Sequence, residues 1–169
     1  MLARLPAALA ATLLSWSLPA MPAEAQTRSG TFHLDAAPAR LLSLFTADGE
    51  RAWAPGWDPE MLSGDVARGS VFRTRAHGHS TVWIVTDYDP HAGRVSYARQ
   101  VEGLNVGLVD VVLTPDGKGT RVEVRYTLTP LSDDGAKAAA EFLAPEHYAA
   151  FVREWRDAIA PLLKTFPSG

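Results

Sequence analysis

The chain has 169 residues, no cysteine and a formal net charge of −3. That length suits one domain. The missing thiols exclude thiol redox chemistry and thiolate metal sites, and the acidic balance argues against a phosphate-binding surface, so nucleic acid is not an expected partner.

The chain opens with "MLARLPAALAATLLSWSLPA", in which a basic residue, Arg4, precedes a long apolar run. "AEA" follows at Ala23 to Ala25, the small-x-small pattern of a signal-peptidase site. These features predict a signal peptide over residues 1–25 and a single domain over 26–169, in a periplasmic or secreted protein. Pro6 and Pro19 interrupt the apolar run, which disfavours the alternative of an uncleaved anchor. No stable membrane span is expected after cleavage. An exported chain without disulfides must hold itself together by packing alone.

"GTFHLDA", Gly30 to Ala36, reads as a first strand with Phe32 and Leu34 on one face. Pro38 then stands where a first helical turn tolerates it. Leu41, Leu42, Leu44 and Phe45 make a short apolar stripe. Thr46 is placed to cap a second short helix, with Asp48 and Glu50 in its first turn, and Pro55-Gly56 ends it. From Ser70 to Thr129 the hydrophobic period becomes two. Five segments rich in β-branched and aromatic residues are separated by "HGH", "DPHAG", "EGLN" and "PDGKG". Connections so short imply an antiparallel meander. In the last strand Val122, Val124, Tyr126 and Leu128 face one way, and Arg121, Glu123, Arg125 and Thr127 the other.

The C-terminal part reads as helix. Ser132 can cap a first segment running to about Leu143, and Pro145 restarts the helix. Tyr148, Phe151, Val152, Trp155, Ile159, Leu162, Leu163 and Phe166 then form one apolar stripe. Pro161 removes a bond within it and predicts a bend or a frayed last turn. The fold class is therefore α+β. A curved antiparallel sheet wraps on a long C-terminal helix, two short helices follow the first strand, and an internal cavity lies between sheet and helix.

This order resembles the START-like helix-grip superfamily, often labelled SRPBCC, in its polyketide cyclase/dehydrase-like bacterial branch. The positions that carry the resemblance are Phe45, Thr46, Gly49, Glu50, Trp53, Gly56, Trp57 and Pro59 in "LFTADGERAWAPGWDPE". Further matches are "GSVFRT", "TVWIVTDYDP", Tyr97, "YTLTPLSDDG" and "FVREW". The resemblance covers about Gly30 to Phe166. It implies a shared cavity for apolar or aromatic molecules and no shared catalytic set.

Several residues admit two readings. Trp53 and Trp57 are either a wall of the cavity mouth or a packing corner between the short helices and the sheet. Asp48 and Glu50 are either a carboxylate pair for acid–base work or ordinary acids of a first helical turn. In the second case Glu50 holds a backbone N–H or an arginine. His77 and His79 in "HGH" suggest a metal but lack further ligands, and read more simply as turn material. His33, His91 and His147 are scattered and receive no role. Arg99 shares a strand face with Val95, Tyr97 and Val101 and so needs a partner. That partner is a ligand carboxylate or phosphate, or else Asp110 or Glu102, unless a bulge turns Arg99 outward. Tyr97 and Tyr126 present hydroxyls either to a ligand or within the core.

The leading expectation is binding or transport of a small hydrophobic or amphipathic molecule. Trp53, Trp57, Phe72 and Trp83 would supply one part of the wall, and Tyr97, Tyr126, Phe151 and Trp155 the rest, with Arg99 as polar anchor. One alternative is a cyclase/dehydrase-type enzyme on the same cavity, marked by a strongly shifted titratable group inside it. Another is a protein-interaction domain with an exposed apolar patch. No catalytic residue, metal ligand, cofactor or oligomeric state is assigned.

Overall fold

The computed structural model describes residues 23–76 and 78–164. Nearly all of the expected signal segment, together with His77 and Phe166, lies outside these described residues. Strand β1 spans Gln26–Leu34 and begins before the expected Gly30. Its first residues carry no apolar alternation. They are strand because they continue a ladder with the last strand, from Gln26 opposite Leu128 to Leu34 opposite Thr120.

Helix α1, Pro38–Leu41, opens with proline in its first turn and runs into a 3-10 turn at Leu42–Phe45. A second 3-10 turn covers Gly49–Ala52. The Thr46 hydroxyl donates to the Ser43 carbonyl at 2.8 Å and accepts from the Gly49 N–H at 3.1 Å, joining the two turns. Gly49 is obligatory here, because a Cβ would fall 1.8 Å from the Ser43 carbonyl oxygen. Gly56, at φ 76°, ends the corner in a conformation that favours glycine.

Six strands follow: β2 Glu60–Ser63, β3 Val71–Ala76, β4 His79–Asp89, β5 Arg94–Val101, β6 Asn105–Asp116 and β7 Gly119–Pro130. All pairings are antiparallel, and the order across the sheet is β1-β7-β6-β5-β4-β3-β2. The five strands of the expected meander are present, and β2 is an addition. All four of its residues are exposed, so no apolar alternation announces it. The short charged end strand, with Glu60 bonded to Arg73 and Arg75, leaves little edge for another chain to extend.

Helix α2, Asp133–Phe142, is capped by the Ser132 hydroxyl, which accepts from the Gly135 N–H at 3.0 Å. Helix α3, Pro145–Ile159, starts after a break at Leu143–Ala144, and Arg28 Nε donates to the Leu143 carbonyl at 2.8 Å. The helix ends at Ile159, and after Pro161 a 3-10 turn follows at Leu162–Lys164. Proline thus stops the helix as the missing N–H requires. Among the described residues no helix is long and apolar enough to cross a membrane.

The core lies on the inner face of the sheet. Leu34, Leu41, Phe45, Phe72, Val122, Val124 and Tyr148 are fully buried. Each large apolar side chain removed from water contributes about 1.5–3 kcal/mol. The Tyr148 hydroxyl donates to the Val124 carbonyl at 3.0 Å and fixes α3 over β7. The principal contact of α3 with the sheet is to β1. The helix therefore rests toward one edge, and the inner faces of β3 to β6 are not filled by it.

Candidate ligand-binding cavity

A cavity of about 650 Å³ opens between the inner face of the sheet, the 3-10 corner and the helices α2 and α3. This size falls within the range of small-molecule sites. Trp53, Trp57, Phe72, Trp83, Tyr97, Arg99, Tyr126, Phe151 and Trp155 all border it. The aromatic rings form two groups. In the first, Trp57 meets Phe72 and Trp83 edge-on at 6.1 and 5.7 Å, and Tyr97 closes on Phe72 at 5.9 Å. In the second, Trp53 meets Trp155 at 5.0 Å, and Phe151 lies 5.0 Å from Trp155 and 5.8 Å from Tyr126. Such contacts hold the walls in fixed orientations.

The polar tips of these rings are committed to different degrees. Trp53 Nε1 donates to the Leu44 carbonyl and Trp57 Nε1 to the Ala47 carbonyl, each at 2.7 Å. Trp53 is buried and serves as a packing corner as well as a wall, whereas Trp57 is half-buried. Trp83 Nε1 donates to Thr74 Oγ1 at 2.9 Å. The Tyr97 hydroxyl donates to the Phe45 carbonyl at 2.7 Å, so its proton is used within the fold. The Tyr126 hydroxyl has no hydrogen-bond partner among the described residues, although the residue is buried and borders the cavity. Burial raises the pKa of both phenols, and both remain protonated at neutral pH.

Arg99 points inward. No bulge turns it out, and neither Asp110 nor Glu102 pairs with it. Asp110 instead accepts from Ser96 Oγ at 2.6 Å. The guanidinium carbon lies 5.2 Å from the centre of the Trp83 ring, and Nε is buried without a hydrogen-bond acceptor. Desolvation lowers its pKa, partly offset by attraction to Tyr126, yet an arginine stays charged throughout.

The acidic residues of the signature stretch separate cleanly. Asp48 and Asp58 both bind Arg51, whose guanidinium also donates to the Pro59 carbonyl. Glu60 binds Arg73 and Arg75. Glu50 alone has neither the arginine nor the backbone N–H expected for its side chain. It borders the cavity, partly open to it but shielded by surrounding protein, and desolvation raises its pKa from 4.5 to about 8. As an ordinary first-turn acid it was unremarkable in the sequence. Its isolation is visible only once its neighbours' arginines are placed. Asn105 is a second polar residue that sequence reasoning missed. It borders the cavity, is buried, and its side-chain oxygen has no partner.

His79 and Glu154 border the cavity at exposed positions. Among the described residues no group of three or more His, Asp or Glu side chains is arranged to hold a metal. On the outer face of the sheet, Val82 and Ile84 of β4 and Val106 and Leu108 of β6 are exposed. Pairing through Ala98 and Gln100 of β5 brings them side by side.

Residues 25–159 match the family described as polyketide cyclase / dehydrase and lipid transport. No curated protein matches the chain. Norcoclaurine synthase from Thalictrum flavum superposes with a TM-score of 0.65 at 12% identity, over 86% of this chain and 90% of that one. Protein MLL2253 from Mesorhizobium loti gives 0.64 at 16% identity, over 85% and 100%. Ara h 8.0201 gives 0.56 at 16% identity, over 76% and 98%. At these identities the likeness is one of fold, and it is the helix-grip architecture that the sequence resembles.

Proposed function

The chain belongs to the polyketide cyclase / dehydrase and lipid transport family, and from that premise we propose that it binds a small hydrophobic or amphipathic molecule between its sheet and its C-terminal helix. The observation that carries this reading is the aromatic-walled space of about 650 Å³, which the protein's own side chains leave unfilled. Rigid rings on several sides offer apolar contact at little cost in conformational entropy. Native mass spectrometry of the protein purified under gentle conditions tests it, with a co-purifying small molecule as the expected result. Thermal shift against a library of lipids and aromatic compounds provides a second arm, since a ligand that binds only the folded state raises the melting temperature by mass action. No bound mass and no stabilising compound would remove the support for this reading.

Glu50 favours a second reading, an acid–base enzyme on the same cavity. A carboxyl with a pKa of about 8 exchanges its proton near neutral pH, as a general base or acid must. The expected activity is proton exchange at the carbon between the carbonyls of a bound aryl β-diketone, followed by NMR in deuterium oxide. Wild type should accelerate it over buffer and Glu50→Gln should not. Equal rates in both proteins would rule the role out.

The amino-terminal sequence supports an exported protein, and β1 begins at Gln26, just past the expected cleavage point. Cleavage after Ala25 would leave every described strand intact.

A further inference from the structure

We propose that the occupant of this cavity is an amphipathic acid, an apolar body ending in one carboxylate, and that the carboxylate is held by Arg99. The inference deepens the binding reading above and rests on it. Four observations converge on this end of the cavity.

First, the guanidinium faces the cavity with no carboxylate partner, and its Nε lacks any acceptor. A buried cation without a counter-ion is costly, and a bound anion relieves that cost. Second, space is provided for it. In the sheet, Arg99 stands opposite Trp83 on one side and Gly107 on the other. Gly107 has no side chain to cover the guanidinium. A Cβ there would fall 2.3 Å from the Thr127 carbonyl oxygen, so that gap is built into the backbone.

Third, a further unpartnered hydroxyl borders the cavity on the neighbouring row of the same face, where Tyr126 stands opposite Val109. The Tyr126 hydroxyl can donate to an anion beside a guanidinium. The unpartnered atom of Asn105, opposite Val101, is its carbonyl oxygen, an acceptor, and it is left to a donor group on the ligand's body. The aromatic residues bordering the rest of the space suit an apolar body. Fourth, only one strong cation faces the interior. Among the described residues no lysine and no second arginine borders the cavity, and His79 and Glu154 border it only at exposed positions. Glu50 does not pair with Arg99, and with a pKa of about 8 it is mostly neutral at physiological pH. One fixed positive charge matches a carboxylate better than a dianionic phosphate.

Isothermal titration of the purified protein with two matched pairs tests this: naphthylacetate against naphthylacetamide, and octanoate against octanamide. A charge-assisted contact predicts that the acids bind about ten- to a hundredfold more tightly than the amides. In Arg99→Gln the ratio of acid to amide affinity should fall to about one. Arg99→Lys should keep part of the advantage, because charge survives but the planar fork does not. Removing an unpaired buried charge does not threaten folding, and thermal melts of both variants check this. Amides that bind as tightly as acids would overturn the acid assignment and leave the cavity reading standing. An acid preference surviving in Arg99→Gln would overturn the role of Arg99. Octyl phosphate binding more tightly than octanoate would overturn the carboxylate. Binding of none of these compounds, nor of an apolar hydrocarbon of similar size, would strike the cavity reading itself.

Discussion

Glu50 makes no ion pair, since its neighbour Arg51 binds Asp48 and Asp58 instead. Its folded-state pKa is raised, so the sign of its pH effect is opposite to that of a salt-bridged acid. Between about 4.5 and about 8 the unfolded chain has released this proton while the folded chain still holds it. Stability therefore falls as pH rises through that window, by about 1.4 kcal/mol per pH unit from this one group. Below the window the group contributes nothing, and above it the full penalty applies. Glu50→Gln should remove the slope, so that the variant gains on wild type from acid to alkaline pH in urea unfolding. Parallel stability profiles for the two proteins would show that Glu50 ionises freely. Residues with similar sequence credentials also separate at this scale. Tyr97 and Tyr126 both lie on apolar strand faces, yet one spends its proton on Phe45 and the other keeps it.

The 3-10 corner places Glu50, Trp53 and Trp57, and it depends on one close approach. Gly49→Ala would press a methyl group into the Ser43 carbonyl, which cannot move without shifting the preceding turn. A loss of roughly 2–4 kcal/mol is expected, as for other forced backbone overlaps. A variant whose urea midpoint matches wild type would mean that the corner yields easily. The same element shows what a sequence can and cannot carry. The Thr46 bond to Gly49 and the proline start of α1 are local chemistry and were legible, whereas the stop expected at Pro55-Gly56 comes earlier, the 3-10 turn ending at Ala52. So were β3 to β7, because one face of each is buried and alternation records burial. Strand β2 was not legible, since its four exposed residues are strand only by pairing with β3. The early start of β1 was hidden for the same reason. In the site, inward aromatics could be read from alternation, but the isolation of Glu50 could not. It depends on Arg51 turning to Asp48 and Asp58 and on the protein that shields Glu50 from water, a fact of three-dimensional placement.

At the scale of the whole molecule, the sheet closes its order by setting β1 beside β7, and that ladder begins at Gln26. A chain started at Gln26 should fold and melt as the full-length protein does. Secreted or periplasmic material should carry Gln26 as its first residue by intact mass. Full-length mass in an exported fraction would instead mean that the segment is kept as an anchor. The four tryptophans among the described residues, Trp53, Trp57, Trp83 and Trp155, all border the same cavity, although they come from the corner, the sheet and the helix. In a chain that starts at Gln26, and so lacks Trp16, the ultraviolet emission of these four indoles is thus a built-in optical record of one interior space. Arrival of a guest would change the surroundings of every one of those indoles at once, so spectral colour and quenching could follow filling and emptying in real time, without any added label.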